Sequence, residues 1–157
     1  GNEETEDHFY AHTHFWHEQP LCAVEWYIEH IGLERRGSPP EGPCDVEIGP
    51  VSFPTFCPGG QLRQPIGFVG ASNFGLAWYT RQCRFGRCGE GGDQPLVPSA
   101  GQVVDHVAFT YPDLAPVIAN LEAKGVQILE GPYAFGEGQA VMIEDLDCLS
   151  LELIGLP

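Results

Sequence analysis

Two imidazoles and one carboxylate of this chain form a possible metal-binding set. His12 lies near the start of the sequence, and His106 and Glu152 lie in its last third. Histidine nitrogen and glutamate oxygen are ligands that Zn, Fe, Mn or Ni accepts, and three protein ligands leave positions open for water or substrate. A divalent ion held in this way polarises a bound oxygen or lowers the pKa of bound water. These residue types predict a metalloenzyme if the fold brings the three side chains together.

A weak internal repeat gives the two histidines matching positions. A strand over residues 9–16 is followed by a helix whose apolar residues recur at helical spacing, and this helix begins at Pro20 and ends at Gly32. A strand over 103–109 is likewise followed by an apolar-faced helix over 113–125, capped by an aspartate and closed by a glycine. Each histidine lies in the strand that precedes its helix.

The second half of the chain is predicted to form one strand, one helix and three further strands, in that order. The three strand-like segments after the helix are residues 126–129, 139–144 and 148–154, with a tight turn over 145–147 between the last two. The first half begins in the same way. It is then interrupted by a Pro- and Gly-rich loop over 37–67 before a strand over 74–79.

This order predicts the α+β class, with two tandem βαβββ modules in one domain over residues 1–157. The modules extend over about 8–80 and 102–157, and a second loop over 80–101 links them. The modules are expected to form a curved mixed sheet around a shared cavity.

Alternation along the strands predicts which side chains reach that cavity. In the last strand, Leu149, Leu151 and Leu153 share the face that a helix covers, so Glu152 points away from the helix. His106 lies opposite the apolar residues of its own strand. In the first strand His12 and His14 share one face, and both remain possible ligands on this argument.

Charge and hydropathy restrict the partners. The 157 residues carry a formal net charge of −15, which argues against nucleic acid or an anionic membrane surface as a partner. The sequence has no apolar run long enough to span a bilayer. A small-molecule substrate is the expected partner.

Six cysteines without a C-x-x-C motif favour disulfides over a zinc ribbon. The preferred pairs are Cys83–Cys88 and Cys44–Cys57, which lie in the Gly- and Pro-rich middle of the chain, while Cys22 and Cys148 are expected to be small buried thiols. Disulfides predict an oxidising, extracytoplasmic location, either periplasmic or secreted, with a cytoplasmic location as the alternative.

Three segments of the sequence resemble the vicinal oxygen chelate superfamily, which includes glyoxalase I, bleomycin-resistance proteins and extradiol dioxygenases. They are HTHFWHEQPLCAVEWYIEHIG, VDHVAFTYPDLAPVIANLEAKGV and VMIEDLDCLSLELIG. The resemblance implies that His12, rather than His14, is the first metal ligand, because Trp26-Tyr27 and Ile31-Gly32 match the family's helix ending. It also implies His106 and Glu152 as the other ligands. The turn Asp145-Leu146-Asp147-Cys148 departs from the family's usual D-P-D-G.

The resemblance implies a glyoxalase-like lyase, isomerase or dioxygenase that acts on a small oxygen-rich substrate chelated by the metal. Glu152 and His14 are the expected catalytic groups, with Trp78 and Tyr133 in the substrate pocket. Residues 75–79 contain no carboxylate, which argues against glyoxalase I itself. The alternative is a metal-free small-molecule-binding protein of the bleomycin-resistance kind. Many relatives dimerise, so a homodimer is also expected.

Overall fold

Fifteen elements in two compact units make up the described part of a computed structural model of the chain. The structure describes residues 12–37, 43–45, 50–52, 61–63, 67–71, 74–80, 83–84, 87–88 and 96–157. For 50–52, 61–63, 79–80, 83–84 and 87–88 it describes the backbone. The first unit comprises Gly1–Ile28 and Gly32–Asp93, and the second comprises Glu29–Ile31 and Gln94–Pro157.

The first unit contains a four-stranded mixed sheet and two short hairpins. Its elements are β1 (Thr13–His17), α1 (Pro20–Trp26), β2 (Glu34–Arg35), β3 (Pro50–Ser52), β4 (Gln61–Arg63), β5 (Gly67–Ala71), β6 (Phe74–Thr80), β7 (Cys83–Arg84) and β8 (Arg87–Cys88). A π-helical turn, Tyr27–Ile31, continues α1. The sheet order is β1-β6-β5-β2, with β1 parallel to β6 and the other pairs antiparallel.

The second unit contains one four-stranded mixed sheet and one helix. Its elements are β9 (His106–Tyr111), α2 (Ala115–Ala123), β10 (Glu130–Phe135), β11 (Gly138–Glu144) and β12 (Ser150–Gly155). The sheet order is β10-β11-β12-β9, and, as in the first unit, the first strand of the sheet along the chain pairs in parallel with the last strand of that sheet. Both sheets therefore have βαβββ connectivity, which confirms the predicted class and the tandem modules.

The helix of the first unit begins and ends where the sequence predicts. Pro20 is at its start, where the missing N–H costs no helical hydrogen bond. Leu21 and Val24 are buried, and the ring of Tyr27 lies 4.6 Å from that of Trp78 in β6. Gly32 adopts a φ of 81°, a left-handed conformation that ends the helix and that glycine adopts without strain.

The helix of the second unit begins at Ala115, and its N-cap residue is Leu114 rather than the predicted Asp113. The Asp113 carboxylate accepts a hydrogen bond from the backbone N–H of Ala115 at 3.0 Å, which satisfies one of the free donors at the helix start. Leu121 is fully buried, and Gly125 follows the last turn with a φ of 79°. On β12, Leu151 and Leu153 are fully buried, as alternation predicts.

Two strands of the second unit begin later in the sequence than predicted. The predicted strand over 126–129 is wrong, because the strand is Glu130–Phe135. The position of β10 is determined by its pairing with β11. Leu129 N donates to Met142 O at 2.8 Å, and the register of the two strands begins at the pair Glu130 and Met142. The strand predicted over 103–109 begins at His106, and Val103 is fully exposed before it.

The disulfide prediction for Cys44 was also wrong. Cys44 is bonded to Cys22, with the two Cα atoms 4.8 Å apart, so Cys22 is not a free thiol and Cys57 is not the partner of Cys44. Cys57 itself lies outside the described residues. Cys83 and Cys88 are register partners in the β7–β8 hairpin, and their side chains are outside the described part. Cys148 is a free, half-buried thiol.

None of the helices in the described ranges has the length and hydropathy needed to cross a membrane.

Candidate functional site

His106 and Glu152 come together on neighbouring strands of the second unit. In the parallel pair of β9 and β12, His106 is the register partner of Ser150 and Ala108 is the partner of Glu152. Register partners share a face, and so do residues two apart in one strand, so His106 and Glu152 lie on one face of the sheet. His106 Nε2 is 3.6 Å from Glu152 Oε2.

The carboxylate of Glu152 is held by Tyr133. Glu152 is only 9% exposed, and a buried carboxylate needs polar partners to offset its desolvation. The Tyr133 hydroxyl donates to Glu152 Oε1 at 2.6 Å, which leaves Oε2 on the side of His106. Desolvation, followed by the hydrogen bond to Glu152, raises the pKa of Tyr133 to about 12. Tyr133 therefore stays a hydrogen-bond donor at neutral pH.

The imidazole of His106 is held by the residue before it. Asp105 Oδ1 is 2.9 Å from His106 Nδ1, and the other oxygen of Asp105 accepts the backbone N–H of Gly101. These two hydrogen bonds, the one with His106 being the larger cause, lower the pKa of the Asp105 carboxyl below its usual value. An ionised Asp105 can only accept, so His106 donates from Nδ1, and its Nε2 is the nitrogen on the side of Glu152.

Sequence reasoning missed Asp105 and also missed Ser99. The Ser99 hydroxyl donates to the backbone oxygen of Asp105 at 2.6 Å and accepts the N–H of Ser150 at 2.7 Å. It thereby joins the beginnings of β9 and β12, the strands that carry His106 and Glu152. An acidic residue directly before a candidate ligand is a usable sequence signal for Asp105, whereas nothing in the local sequence marks Ser99.

The first unit contains a pair of stacked histidines. The ring centroids of His12 and His14 are 4.7 Å apart with an interplanar angle of 16°, and Phe68 meets His12 edge-on at 5.7 Å. Both histidines are exposed. Partial burial and then the charge of His12 lower the pKa of His14. A Cβ at Gly75 would lie 2.6 Å from the Phe68 ring, so the glycine makes room for this ring beside His12.

The two residues predicted to line a substrate pocket have different surroundings. Tyr133 lies in β10 beside Glu152, at the candidate site. Trp78 is fully buried and packs against Tyr27, on the face of the first sheet that α1 covers. Its register partner is Phe15, whereas the partner of His14 is Ala77, so Trp78 faces away from His14. This position does not support a role for Trp78 in lining the pocket.

The donors of the second unit fit one metal ion. Two ligand atoms each about 2.0–2.1 Å from a tetrahedral ion are about 3.4 Å apart, close to the 3.6 Å between His106 Nε2 and Glu152 Oε2. Within the described ranges no group of three or more His, Cys, Asp or Glu side chains is arranged to hold a metal. His12, the third predicted ligand, belongs to the first unit.

No family model matches the sequence, and none of the curated proteins compared with it is similar enough to count as a relative. Solved structures do match its fold. A member of the glyoxalase/bleomycin resistance protein/dioxygenase superfamily from Sphaerobacter thermophilus aligns with a TM-score of 0.61 and 12% identity, covering 95% of this chain and 98% of its own. TnmS3, an antibiotic-binding protein from a Streptomyces species, aligns with a TM-score of 0.56 and 14% identity over 99% of this chain and 100% of its own. A glyoxalase/bleomycin resistance protein from the same species has a TM-score of 0.53 and 15% identity, covering 92% and 98%. At these identities the likeness establishes the fold.

Proposed function

We propose that this chain, which has the vicinal oxygen chelate fold, is a metal-dependent enzyme that acts on a small oxygen-rich substrate. The divalent ion, Zn, Fe, Mn or Ni, is held by His12, His106 and Glu152. The supporting observation is the pair formed by His106 Nε2 and Glu152 Oε2 at 3.6 Å, in which the other polar atom of each side chain already has a partner. Fold alone does not decide function, so the proposal rests on this pair.

The protein residues have separate roles in this proposal. When bound, the ion supplies a Lewis acid that polarises an oxygen of the substrate. Glu152 and His106 hold the ion, and Tyr133 keeps the carboxylate in place. His14 is the acid or base beside the ion, because its lowered pKa leaves the imidazole neutral and able to accept a proton near pH 7. The reaction belongs to the lyase, isomerase or dioxygenase type.

The setting of the protein is part of the same proposal. The Cys22–Cys44 disulfide supports an oxidising, extracytoplasmic location. The net charge of −15 supports a small-molecule partner rather than nucleic acid or an anionic membrane. A homodimer is the proposed assembly.

Metal content is the test. The purified protein, dialysed against metal-free buffer after incubation with Zn²⁺, is expected to retain about one ion per chain, measured by elemental analysis. His12→Ala, His106→Ala and Glu152→Gln are each expected to lose it, and the control His30→Ala to keep it. A wild-type protein that retains no ion, and whose melting temperature does not change on metal addition, would contradict the enzyme proposal. Loss in His14→Ala but not in His12→Ala would make His14 the ligand.

A second candidate is a metal-free protein that binds a small molecule. It is favoured by a fold shared with the antibiotic-binding TnmS3. The metal experiment separates the two candidates. In a binding protein of this kind, the stability in the presence of Zn²⁺ does not depend on His106 or Glu152.

A further inference from the structure

We infer that Asp105 and Tyr133 are positioning residues that set the second unit to bind metal through His106 Nε2 and a single oxygen of Glu152. The inference rests on the proposed function and adds the residues that orient its ligands. Neither residue touches the ion. Asp105 fixes which nitrogen of His106 faces the ion, and Tyr133 fixes which oxygen of Glu152 faces the ion.

Asp105 selects the tautomer of His106. Its Oδ1 lies 2.9 Å from Nδ1, and its other oxygen accepts the backbone N–H of Gly101, so the carboxylate is held on both sides. A hydrogen bond from Nδ1–H to a carboxylate orients the ring and raises the basicity of the opposite nitrogen. That opposite nitrogen, Nε2, is the atom that faces Glu152.

Tyr133 selects the oxygen of Glu152. Its hydroxyl donates to Oε1 at 2.6 Å, and Oε2 is the oxygen that lies 3.6 Å from His106. Rotation of the buried carboxylate to offer both oxygens would break a short, charge-assisted hydrogen bond, which is about twice as strong as a neutral one. The carboxylate is therefore restricted to binding through one atom, Oε2.

The strands themselves are also fixed at the point where the ligands meet. Ser99 Oγ bonds the backbone of Asp105 and that of Ser150, which is the register partner of His106. The two ligand-bearing strands are thus joined both by their ladder and by a side chain from the preceding loop. The positions of Nε2 and Oε2 are set before an ion arrives, so ion binding needs little reordering of these groups.

The test is the affinity of the full chain for Zn²⁺, measured by competition with a chromophoric chelator. Asp105→Ala and Tyr133→Phe are each expected to weaken binding by about 10- to 100-fold, the usual cost of losing a residue that orients a ligand. Asp105→Asn keeps an oxygen that can accept from Nδ1–H, so it is expected to recover most of the loss. Tyr111→Phe is the matched control, because it removes another hydroxyl of the second unit, one that donates to Ile31 O at 2.9 Å.

Melting temperatures of the metal-free variants distinguish positioning from general stability. Weaker binding in Asp105→Ala and Tyr133→Phe, with Tyr111→Phe unchanged at a similar melting temperature, supports the inference. Wild-type affinity in both Asp105→Ala and Tyr133→Phe overturns it while leaving the proposed function intact, and so does equal weakening in Tyr111→Phe. If the wild-type chain binds no Zn²⁺, the proposed function and this inference are both overturned.

Discussion

Ala77 in the first unit occupies the position that Glu152 occupies in the second. His14 is paired with Ala77 in the parallel strands β1 and β6, and Ala108 is paired with Glu152 in β9 and β12. Aligning His12 with His106 aligns these two pairs. At these matched positions each unit therefore has a histidine, whereas the carboxylate is present in the second unit and replaced by Ala77 in the first.

Replacing Ala77 by glutamate should make the stability of the first unit depend on metal. Ala77 is 5% exposed, so the carboxylate of Ala77→Glu is expected to lower the free energy of unfolding by about 1–3 kcal/mol in metal-free protein. An ion bound near His12 would recover part of that loss. The measurement is the rise in melting temperature on Zn²⁺ addition, which should be larger than in wild type. Ala77→Gln is the control, and an equal rise in both variants would contradict the expectation.

Removal of the Asp145 side chain should destabilise the turn before β12. Asp145 is buried, and its Oδ1 accepts the backbone N–H groups of Asp147 and Leu149, both at 2.9 Å. Asp145→Ala leaves these donors without that acceptor and is expected to lower the free energy of unfolding by about 1–3 kcal/mol. Urea denaturation measures the change. Asp145→Asn keeps one oxygen and should lose less, while the exposed control Glu137→Ala should lose almost nothing; equal losses in all three would refute the role of Asp145.

The thiol of Cys148 should react slowly with iodoacetamide. Its pKa is raised, first by burial and then by the negative charges of Glu144, Asp145 and Asp147. A raised pKa reduces the thiolate fraction at a given pH, and the thiolate is the nucleophile. The alkylation rate of the Cys148 peptide, followed by mass spectrometry, should therefore keep rising with pH beyond the range in which the same cysteine levels off in denatured protein. Identical pH profiles in folded and denatured protein would show that the fold does not perturb this thiol.

Peptide mapping without reductant should find Cys22 linked to Cys44. Cys22→Ser with Cys44→Ser is expected to lower the free energy of unfolding by about 2–4 kcal/mol, because the crosslink no longer restricts the unfolded chain. Cys148→Ser is the control and should cost far less, since that thiol is free. A linked peptide that joins Cys44 to Cys57 would contradict the structure.

The fold could be predicted from the sequence largely because the residues that start and end its helices are local signals. Pro20 and Gly32 mark the first helix, Asp113 and Gly125 mark the second, and helical periodicity fills the space between. The position of β10 could not be predicted in this way. Gly131 and Pro132 look like a loop, but they lie inside a strand that exists because it pairs with β11.

The site was predictable only in part. Alternation and the repeat singled out His106 and Glu152 as candidate ligands, and the structure places His106 Nε2 3.6 Å from Glu152 Oε2. Asp105 lies just before a strand, where no periodic pattern applies. Ser99 acts through a hydrogen bond to a distant part of the chain, which no local pattern reports. The partner of Cys44 was missed for a similar reason, because spacing in sequence does not report which Cβ atoms approach.

The parallel pairing of the first and last strands has a consequence for biosynthesis. β9 lies at the edge of its sheet and pairs with β12, so its partner is the last strand of the unit to leave the ribosome. The contacts between these strands are the most distant in sequence within that sheet, and such contacts form slowly. Glu152 lies on β12, so a nascent chain that has made β9, α2, β10 and β11 still lacks one of the two ligands proposed for this unit. Capture of metal by this pair is therefore expected to follow closure of the sheet rather than to guide it.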